Sequence, residues 1–309
     1  MSLSTRYGYL GPEGTFTERA LRTLPEVAKR DLVPWPSIPA ALDAVRRGET
    51  CAAMVPLENS VEGTVSATVD NLAVGAPLMI VREVYLPISF ALLVRPGTKM
   101  HEVKTVTAHS HAQPQVRKWL AEHMPYAEWQ SASSNAEGAR LVQDGRYDAA
   151  IAGVFAGAKY GLEPLATDIH DVAGAATRFI LVGKHGRAAP ATGSDKTTLL
   201  VHLLDDRLGA LLELLLEFAE FGVDLLRIES RPTGGGLGRY YFSIDCEGHV
   251  TDARVDEALK SLRRICSDVR FLGSYPRADD EIYTSPTSSS TNEQFAKADE
   301  WLARVGGQL

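Results

Sequence analysis

Cys51-Ala52-Ala53-Met54-Val55-Pro56-Leu57-Glu58-Asn59-Ser60-Val61-Glu62-Gly63-Thr64-Val65 is the stretch that decides the fold class. Cys51 to Pro56 is a run of small apolar residues bounded by polar ones, which reads as a buried strand. Glu58, Asn59 and Ser60 stand in a row at its carboxyl end, followed by Gly63, where the backbone can approach a ligand closely. In open α/β sheets ligands bind at such carboxyl ends. Two acids, an amide and a hydroxyl there make either a binding site or a polar cap before a helix. The stretch alone does not separate the two.

The same punctuation recurs on both sides. Upstream, Tyr7 to Leu10 is a short strand that runs into Gly11-Pro12-Glu13-Gly14-Thr15-Phe16-Thr17 and then a helical pattern through Ala20, Leu21 and Leu24. A glycine-rich turn at a helix start aims backbone N–H groups and a positive dipole end at an anion, and Thr15 or Thr17 can cap the helix. The spacing is neither a Walker loop nor a GxGxxG fingerprint. Leu32-Val33 is a second strand, and Ser37 caps a helix from Ile38 to about Arg47 that Gly48 ends.

Downstream, Leu78 to Val84 and Ile88 to Val94 read as two strands separated by Tyr85-Leu86-Pro87. Val106 to Ala108 leads into His109-Ser110-His111, with Ser110 as the cap of a helix carrying Val116, Trp119 and Leu120. No Cys or carboxylate accompanies the two histidines, so they read as loop residues and not as metal ligands. A helix over Ala136 to Val142, a strand over Asp148 to Val154, a short helix over Ala156 to Tyr160 and a strand fragment at Leu165-Ala166-Thr167 follow. Then comes Ala175-Ala176-Thr177-Arg178-Phe179-Ile180-Leu181, a hydroxyl and a fixed cation at the mouth of a buried strand. Guanidinium grips carboxylates bidentately and threonine can donate a hydrogen bond, so the pair suits an anionic substrate. A strand-edge Thr beside a surface Arg is the plain alternative.

Strands and helices that alternate, with polar turns at strand ends, predict a doubly wound α/β domain. The runs around residues 78 to 94 predict a crossing into a second lobe and a return near 155, a two-lobed, binding-protein-like plan with a cleft. Gly183 to Ser194 has linker composition. Beyond it come a strand (Thr197–Leu203), a helix (Arg207–Phe221), a strand (Leu225–Arg231), a hairpin turn (Pro232–Gly238), a strand (Arg239–Cys246), a helix (Thr251–Ile265) and a strand (Val269–Tyr275). That order is βαββαβ, a ferredoxin-like unit. The tail is acidic at Asp279-Asp280-Glu281, low in complexity at Ser285 to Thr291 and helical over Phe295 to Val305.

At 309 residues, 45% hydrophobic and 23% charged, the chain is an ordinary globular protein of more than one domain. A net charge of -7 argues against nucleic acid as the main partner. No apolar run has transmembrane length and Met1 to Tyr7 holds no apolar signal region, so a cytoplasmic chain is expected. Cys51, Cys246 and Cys266 are far apart and read as reduced thiols.

Gly-Pro-Glu-Gly-Thr-Phe-Thr at 11–17, Pro-Leu-Glu-Asn-Ser-Val-Glu-Gly at 56–63, Ser-His at 110–111 and Thr-Arg-Phe at 177–179 together resemble the prephenate dehydratase family. Gly209-Ala210-Leu211 and Glu229-Ser230-Arg231-Pro232 resemble its C-terminal ACT domain. The resemblance implies a periplasmic-binding-protein-like catalytic domain over 1–187, with lobe 1 at about 6–76 and 156–187 and lobe 2 at about 77–155. It further implies a linker at 188–196, an ACT regulatory domain over 197–275 and a polar tail over 276–309. The implied reaction is cofactor-free and metal-free conversion of prephenate to phenylpyruvate, with loss of carbon dioxide and water. Catalytic roles fall to Thr177, Arg178, Phe179, Glu58 and Asn59, and substrate binding to Thr15, Ser60, Gly63, Thr64 and Ser110. L-Phenylalanine is the implied effector, bound by Gly209, Ala210, Leu211, Glu229, Ser230, Arg231 and Pro232 in a dimer or tetramer. Nucleic acid and membrane are not implied as partners. Three departures from the family pattern stand out: Ala175 replaces the Asn common two residues before the Thr, Ala112 replaces a Pro, and Arg117-Lys118 replaces Gln-Cys. The rival readings are an arogenate dehydratase and a non-catalytic amino-acid sensor. A module of a bifunctional mutase-dehydratase is not expected, since no helical domain precedes Tyr7.

Overall fold

The computed structural model describes residues 5–204, 207–234, 240–279 and 290–306. Gly235–Gly238 of the hairpin turn expected over Pro232–Gly238, and Ser285–Ser289 of the low-complexity run expected over Ser285–Thr291, lie outside the described residues. Contacts divide the chain into two units: residues up to Asn71 with Val84–Val182, and Leu72–Glu83 with Gly183 onward.

The chain begins with β1 (Tyr7–Leu10), α1 (Phe16–Arg22), β2 (Leu32–Trp35), α2 (Ile38–Arg47), β3 (Ala52–Asn59), β4 (Gly63–Thr64) and α3 (Ser66–Ala73). The chain continues through β5 (Leu78–Pro87), β6 (Ala91–Val94), β7 (Thr105–His109), α4 (Gln113–His123), β8 (Glu128–Ala132) and α5 (Asn135–Gln143). Then come β9 (Ala149–Ala152), α6 (Val154–Tyr160), β10 (Glu163–Ala166) and β11 (Ala176–Lys184). Two sheets result. One has the order β2-β1-β3-β11-β5 with β4 on β3, and the other the order β10-β6-β9-β7-β8. In the second sheet β7 runs parallel to β8 and β9. Alternate residues of its strands feed two cores. Leu92, Val94 and Ile151 pack on one face, and Ala91, Leu93, Ala150 and Ala152 on the other. Burial on both faces is why these strands carry continuous apolar runs.

The capping signals act as the sequence suggests at Thr15 and Ser37, and Ser134 adds a third cap. Thr15, Ser37 and Ser134 each accept the N–H three residues on. Two local readings change. Ser110 caps nothing. A 3₁₀ turn over Ser110–Ala112 opens α4, and its N-cap is His109, whose ring nitrogen accepts the His111 N–H. Nor does a helix begin after Ser60. A turn and the short strand β4 intervene before α3, because Asn59 accepts the N–H of both Val61 and Glu62 and folds the chain back. Tyr85-Leu86-Pro87 continues β5 in the first sheet, so the crossing falls at Pro87–Ile88 and not near 77. β10 belongs to the second sheet, so the return lies beyond Ala166 and not near 155.

The second unit carries β12 (Asp195–Leu203), α7 (Ala210–Glu220), β13 (Leu225–Pro232), β14 (Tyr240–Glu247), α8 (Ala253–Ile265), β15 (Cys266–Pro276) and α9 (Asn292–Val305). The βαββαβ order holds, with sheet order β13-β14-β12-β15 and antiparallel pairing throughout. Leu199, Val201, Leu214, Phe218, Ile244 and Leu262 form its core. Lys196 is buried there with its Nζ 3.1 Å from Glu83 and 3.0 Å from Asp279. The main chain of Gly273 lies against that of Ile80.

Candidate active site

β3 ends where the apolar run ends, and Asn59 is its last residue. The Asn59 amide works in two directions. Its Oδ1 holds the turn through Val61 and Glu62, at 2.9 and 3.0 Å. Its Nδ2 donates to Thr177 Oγ1 at 2.8 Å. Ser60 clamps the same junction, for its N–H donates to the Ala176 carbonyl at 2.9 Å and its Oγ accepts the Ala176 N–H at 3.0 Å. Two chain segments more than a hundred residues apart are thereby fixed beside each other. Thr177 is 7% exposed and lines a cleft of about 1110 Å³. With an N–H already on its oxygen, the Thr177 hydroxyl is left to donate its own proton elsewhere.

Strand parity then sorts the neighbours. Successive side chains of a strand point to opposite faces. Thr177 and Phe179 line the cleft, while Arg178, buried at 3% exposure, is not among the lining residues. Glu58 sits across from Thr64 in the β3–β4 pair, so these two side chains share a face, and its neighbour Asn59 lines the cleft with Thr64. Gly63 and Thr64 do line the cleft, and Glu62, the second acid of the stretch, joins them. Ser60 is absent from the lining and acts through Ala176 instead.

The glycine-rich turn supplies Thr15 and the start of α1. Thr15 Oγ1 donates to the Leu10 carbonyl at 3.1 Å and accepts the Glu18 N–H at 3.3 Å. Gly14, at φ +82°, gives its N–H to Glu18 Oε2 at 2.6 Å. The first donor of this turn is thus taken by the helix's own carboxylate, which Arg22 grips in turn. Phe16 packs edge-on against Phe90 and Phe155 with centroids 5.8 and 5.1 Å apart.

The other lobe presents His109, Ser133, Ser134 and Gly153, each directly at or after the end of a parallel strand of the second sheet. Asn135 Oδ1 accepts the His109 N–H at 2.9 Å, and His109 Nδ1 accepts the His111 N–H at 3.2 Å. The two imidazoles meet edge-on with centroids 4.6 Å apart. Burial, and then the neighbouring His111, push the His109 pKa below the usual imidazole range. Ser110, between them, is exposed and outside the lining, and so is Arg117. His109, Asn135 and Gln115 were missed as site residues. The strand-end rule already applied to Asn59 would have found the first of them.

Among the described residues lining the cleft there is no Lys and no Arg. Among the described residues no group of three His, Cys, Asp or Glu is placed to hold a metal, and no helix is long and apolar enough to cross a membrane.

In the second unit, Gly209 takes φ +87° as the residue before α7, and Ala210 and Leu211 open the helix. Glu229, Ser230, Arg231 and Pro232 end β13, an edge strand. Glu229 pairs with Arg227 and lies 3.8 Å from Arg231.

Two open α/β sheets around a cleft, joined in one chain to a ferredoxin-like βαββαβ module, define a substrate-binding domain of periplasmic-binding-protein type with an appended regulatory-type module. Residues 7–187 match the model of the family described as prephenate dehydratase, and residues 197–264 match the ACT domain. The chain belongs to the prephenate dehydratase family and carries an ACT domain. It is 47% identical over 302 residues to a prephenate dehydratase of Amycolatopsis methanolica, covering 97% of this chain and 98% of that one. The crystal structure of prephenate dehydratase from Arthrobacter aurescens in complex with L-Phe superposes with a TM-score of 0.91 at 47% identity, covering 97% and 99% of the two chains. A quorum-quenching acylase, GqqA, superposes with a TM-score of 0.78 at 27% identity, covering 88% of this chain and 97% of that one.

Proposed function

We propose that this chain converts prephenate to phenylpyruvate, with loss of carbon dioxide and water. The hydrogen bond from Asn59 to Thr177 carries the reading. In the reaction the C–C bond to the ring carboxylate breaks, its electron pair enters the ring, and the C–O bond to the ring hydroxyl breaks. The departing oxygen takes up a proton and leaves as water, so one proton is consumed overall. Thr177 is the donor to that oxygen. Asn59 turns its hydroxyl hydrogen outward, and Ser60 holds its main chain. A preorganised donor aimed at developing charge is the main electrostatic contribution a protein makes to such a step. Phe179, Phe16 and Phe90 give the ring an apolar bed, and Thr15, Gly63 and Thr64 border it. Arg178 and Glu58 support the strand ends that hold Thr177 and Asn59, and Ser110 supports the turn between His109 and His111. Acyl transfer of the acylase type is less well served, because Asn59, the partner of Thr177 Oγ1, cannot take its proton.

The chain works as a cytoplasmic homo-oligomer, a dimer or tetramer, that needs no cofactor. Its catalytic domain runs over 1–187, a linker over 188–196, the ACT domain over 197–275 and a tail from 276. L-Phenylalanine acts as effector at Gly209–Leu211 and Glu229–Pro232, and it shifts the cleft only as far as it binds one arrangement better than another.

The purified chain, given prephenate and no cofactor, is expected to release phenylpyruvate, and Thr177→Ala to abolish most of that rate. Arogenate serves as the comparison substrate. A folded protein inactive on both overturns the reading.

A further inference from the structure

A dicarboxylate substrate has to be held by something, and the described cleft lining offers it no Lys or Arg. The basic side chains of the lining are two histidines, and its carboxylates are Glu62 and Glu137. Arg140 grips Glu137 at 2.8 and 2.7 Å. Recognition of an anion therefore falls to neutral donors placed in advance, and one of them is built with unusual care.

His109 ends β7, half-buried at the rim of the second lobe. Its main-chain N–H is fixed to Asn135 Oδ1 at 2.9 Å. Its Nδ1 accepts the His111 N–H at 3.2 Å, which selects the tautomer with the proton on Nε2. Among the hydrogen bonds of the described residues, none uses Nε2. The ring thus has one committed acceptor and one uncommitted donor, on a residue that lines the cleft.

We infer that His109 binds the pyruvyl carboxylate of the substrate, the one the product keeps, through its Nε2–H, and that Asn135 is the positioning residue that holds it there. The inference rests on the prephenate reading above for the identity of the substrate. Burial, and then the neighbouring His111, hold the ring's basicity below the usual imidazole range, in keeping with an Nδ1 that accepts. Thr177 on one lobe and His109 on the other then address two ends of one molecule. The hydroxyl end meets the proton donor, and a carboxylate end meets the imidazole.

The test uses the full chain with His109→Phe, His109→Gln and Asn135→Ala, each checked for folding by thermal unfolding. Losing a hydrogen bond to a carboxylate is expected to raise KM for prephenate roughly ten- to hundredfold with kcat within about threefold. Gln, which carries an N–H donor of its own, recovers part of the loss. Asn135→Ala gives a smaller rise that vanishes in the His109→Phe background. Binding of phenylpyruvate, measured by calorimetry, weakens in the same order and needs no turnover. An unchanged KM in His109→Phe, a kcat loss at constant KM, or equal phenylpyruvate affinity in parent and variant overturns the inference. A parent chain that binds phenylpyruvate through His109 but does not turn prephenate over leaves His109 standing and sinks the dehydratase reading. If His109→Phe does not fold, the Gln and Asn135→Ala variants carry the same comparison.

Discussion

Asn59→Asp is the sharpest probe of the site, because it changes the direction of one hydrogen bond and little else. Asp is isosteric with Asn. One carboxylate oxygen can still accept the N–H groups of Val61 and Glu62, which Asn59 Oδ1 now holds at 2.9 and 3.0 Å. The turn after β3 therefore survives, and the unfolding midpoint is expected to stay within about 2 °C of the parent. The other oxygen falls where Nδ2 now donates to Thr177 at 2.8 Å. A carboxylate there has no proton to give, so Thr177 must donate to it. The hydroxyl hydrogen that the parent directs toward the substrate is captured. A hydrogen bond to a charged acceptor contributes about 1.5–3 kcal/mol. If that bond must break before Thr177 can donate, kcat falls roughly 10- to 150-fold, at 1.36 kcal/mol per factor of ten. The assay is phenylpyruvate release under saturating prephenate, run beside Thr177→Val and the double variant. The double variant should be no slower than Thr177→Val alone, since the captured proton is already gone. A kcat for Asn59→Asp within threefold of the parent, in a protein with unchanged unfolding, would refute the donor role of Thr177.

Three further expectations concern the frame around the site. Lys196→Met leaves Glu83, whose side chain is 0% exposed, and Asp279 without the ammonium now 3.1 and 3.0 Å away, and should destabilise the second unit by about 3–5 kcal/mol in denaturant unfolding. Gly273→Ala adds a Cβ 2.4 Å from the Ile80 carbonyl oxygen at φ +134°, where both the clash and the backbone conformation count against it, and about 2–5 kcal/mol should be lost. Asp148 is pushed up by partial burial but held below the usual carboxylate range by donors that outweigh it, the N–H groups of Lys104 and Thr105 and the Thr105 hydroxyl, with Arg95 adding to them. A carboxyl whose folded pKa is depressed stabilises above its ordinary pKa and loses that stabilisation as pH falls through the folded one. Thermal unfolding on acidification should therefore show a loss in the parent that Asp148→Asn reduces.

Most of the architecture could be read in advance because the evidence for it is local. Buried strands announce themselves as apolar runs, and Gly48, Gly63 and Gly209 mark places where the chain takes positive φ. Pairing is not local, and there the reading slipped. Nothing in Leu78–Pro87 says that this strand lies beside β11, so the lobe boundary was set some ten residues early. Arg178 adjoins Thr177, and adjacency in the sequence does not say which way a side chain turns. In a strand the immediate neighbour is the one residue that must face away. His109 was passed over for another reason. A histidine pair without Cys or carboxylate argues against a metal and says nothing of a donor at a strand end.

The crossing strands carry a consequence for how this domain can be taken apart. The chain leaves the first sheet at Pro87 and comes back at Ala176, and the Ile88 N–H donates to the Ala175 carbonyl at 2.8 Å. Entry and exit are thus within bonding distance, and everything between them is an insertion with a closed neck. Residues 88–175 form a cassette. Cutting it out and rejoining the neck with a short turn leaves the order of the first sheet untouched, and the excised piece, with its own two-sided core, has ends close enough to be joined into a ring.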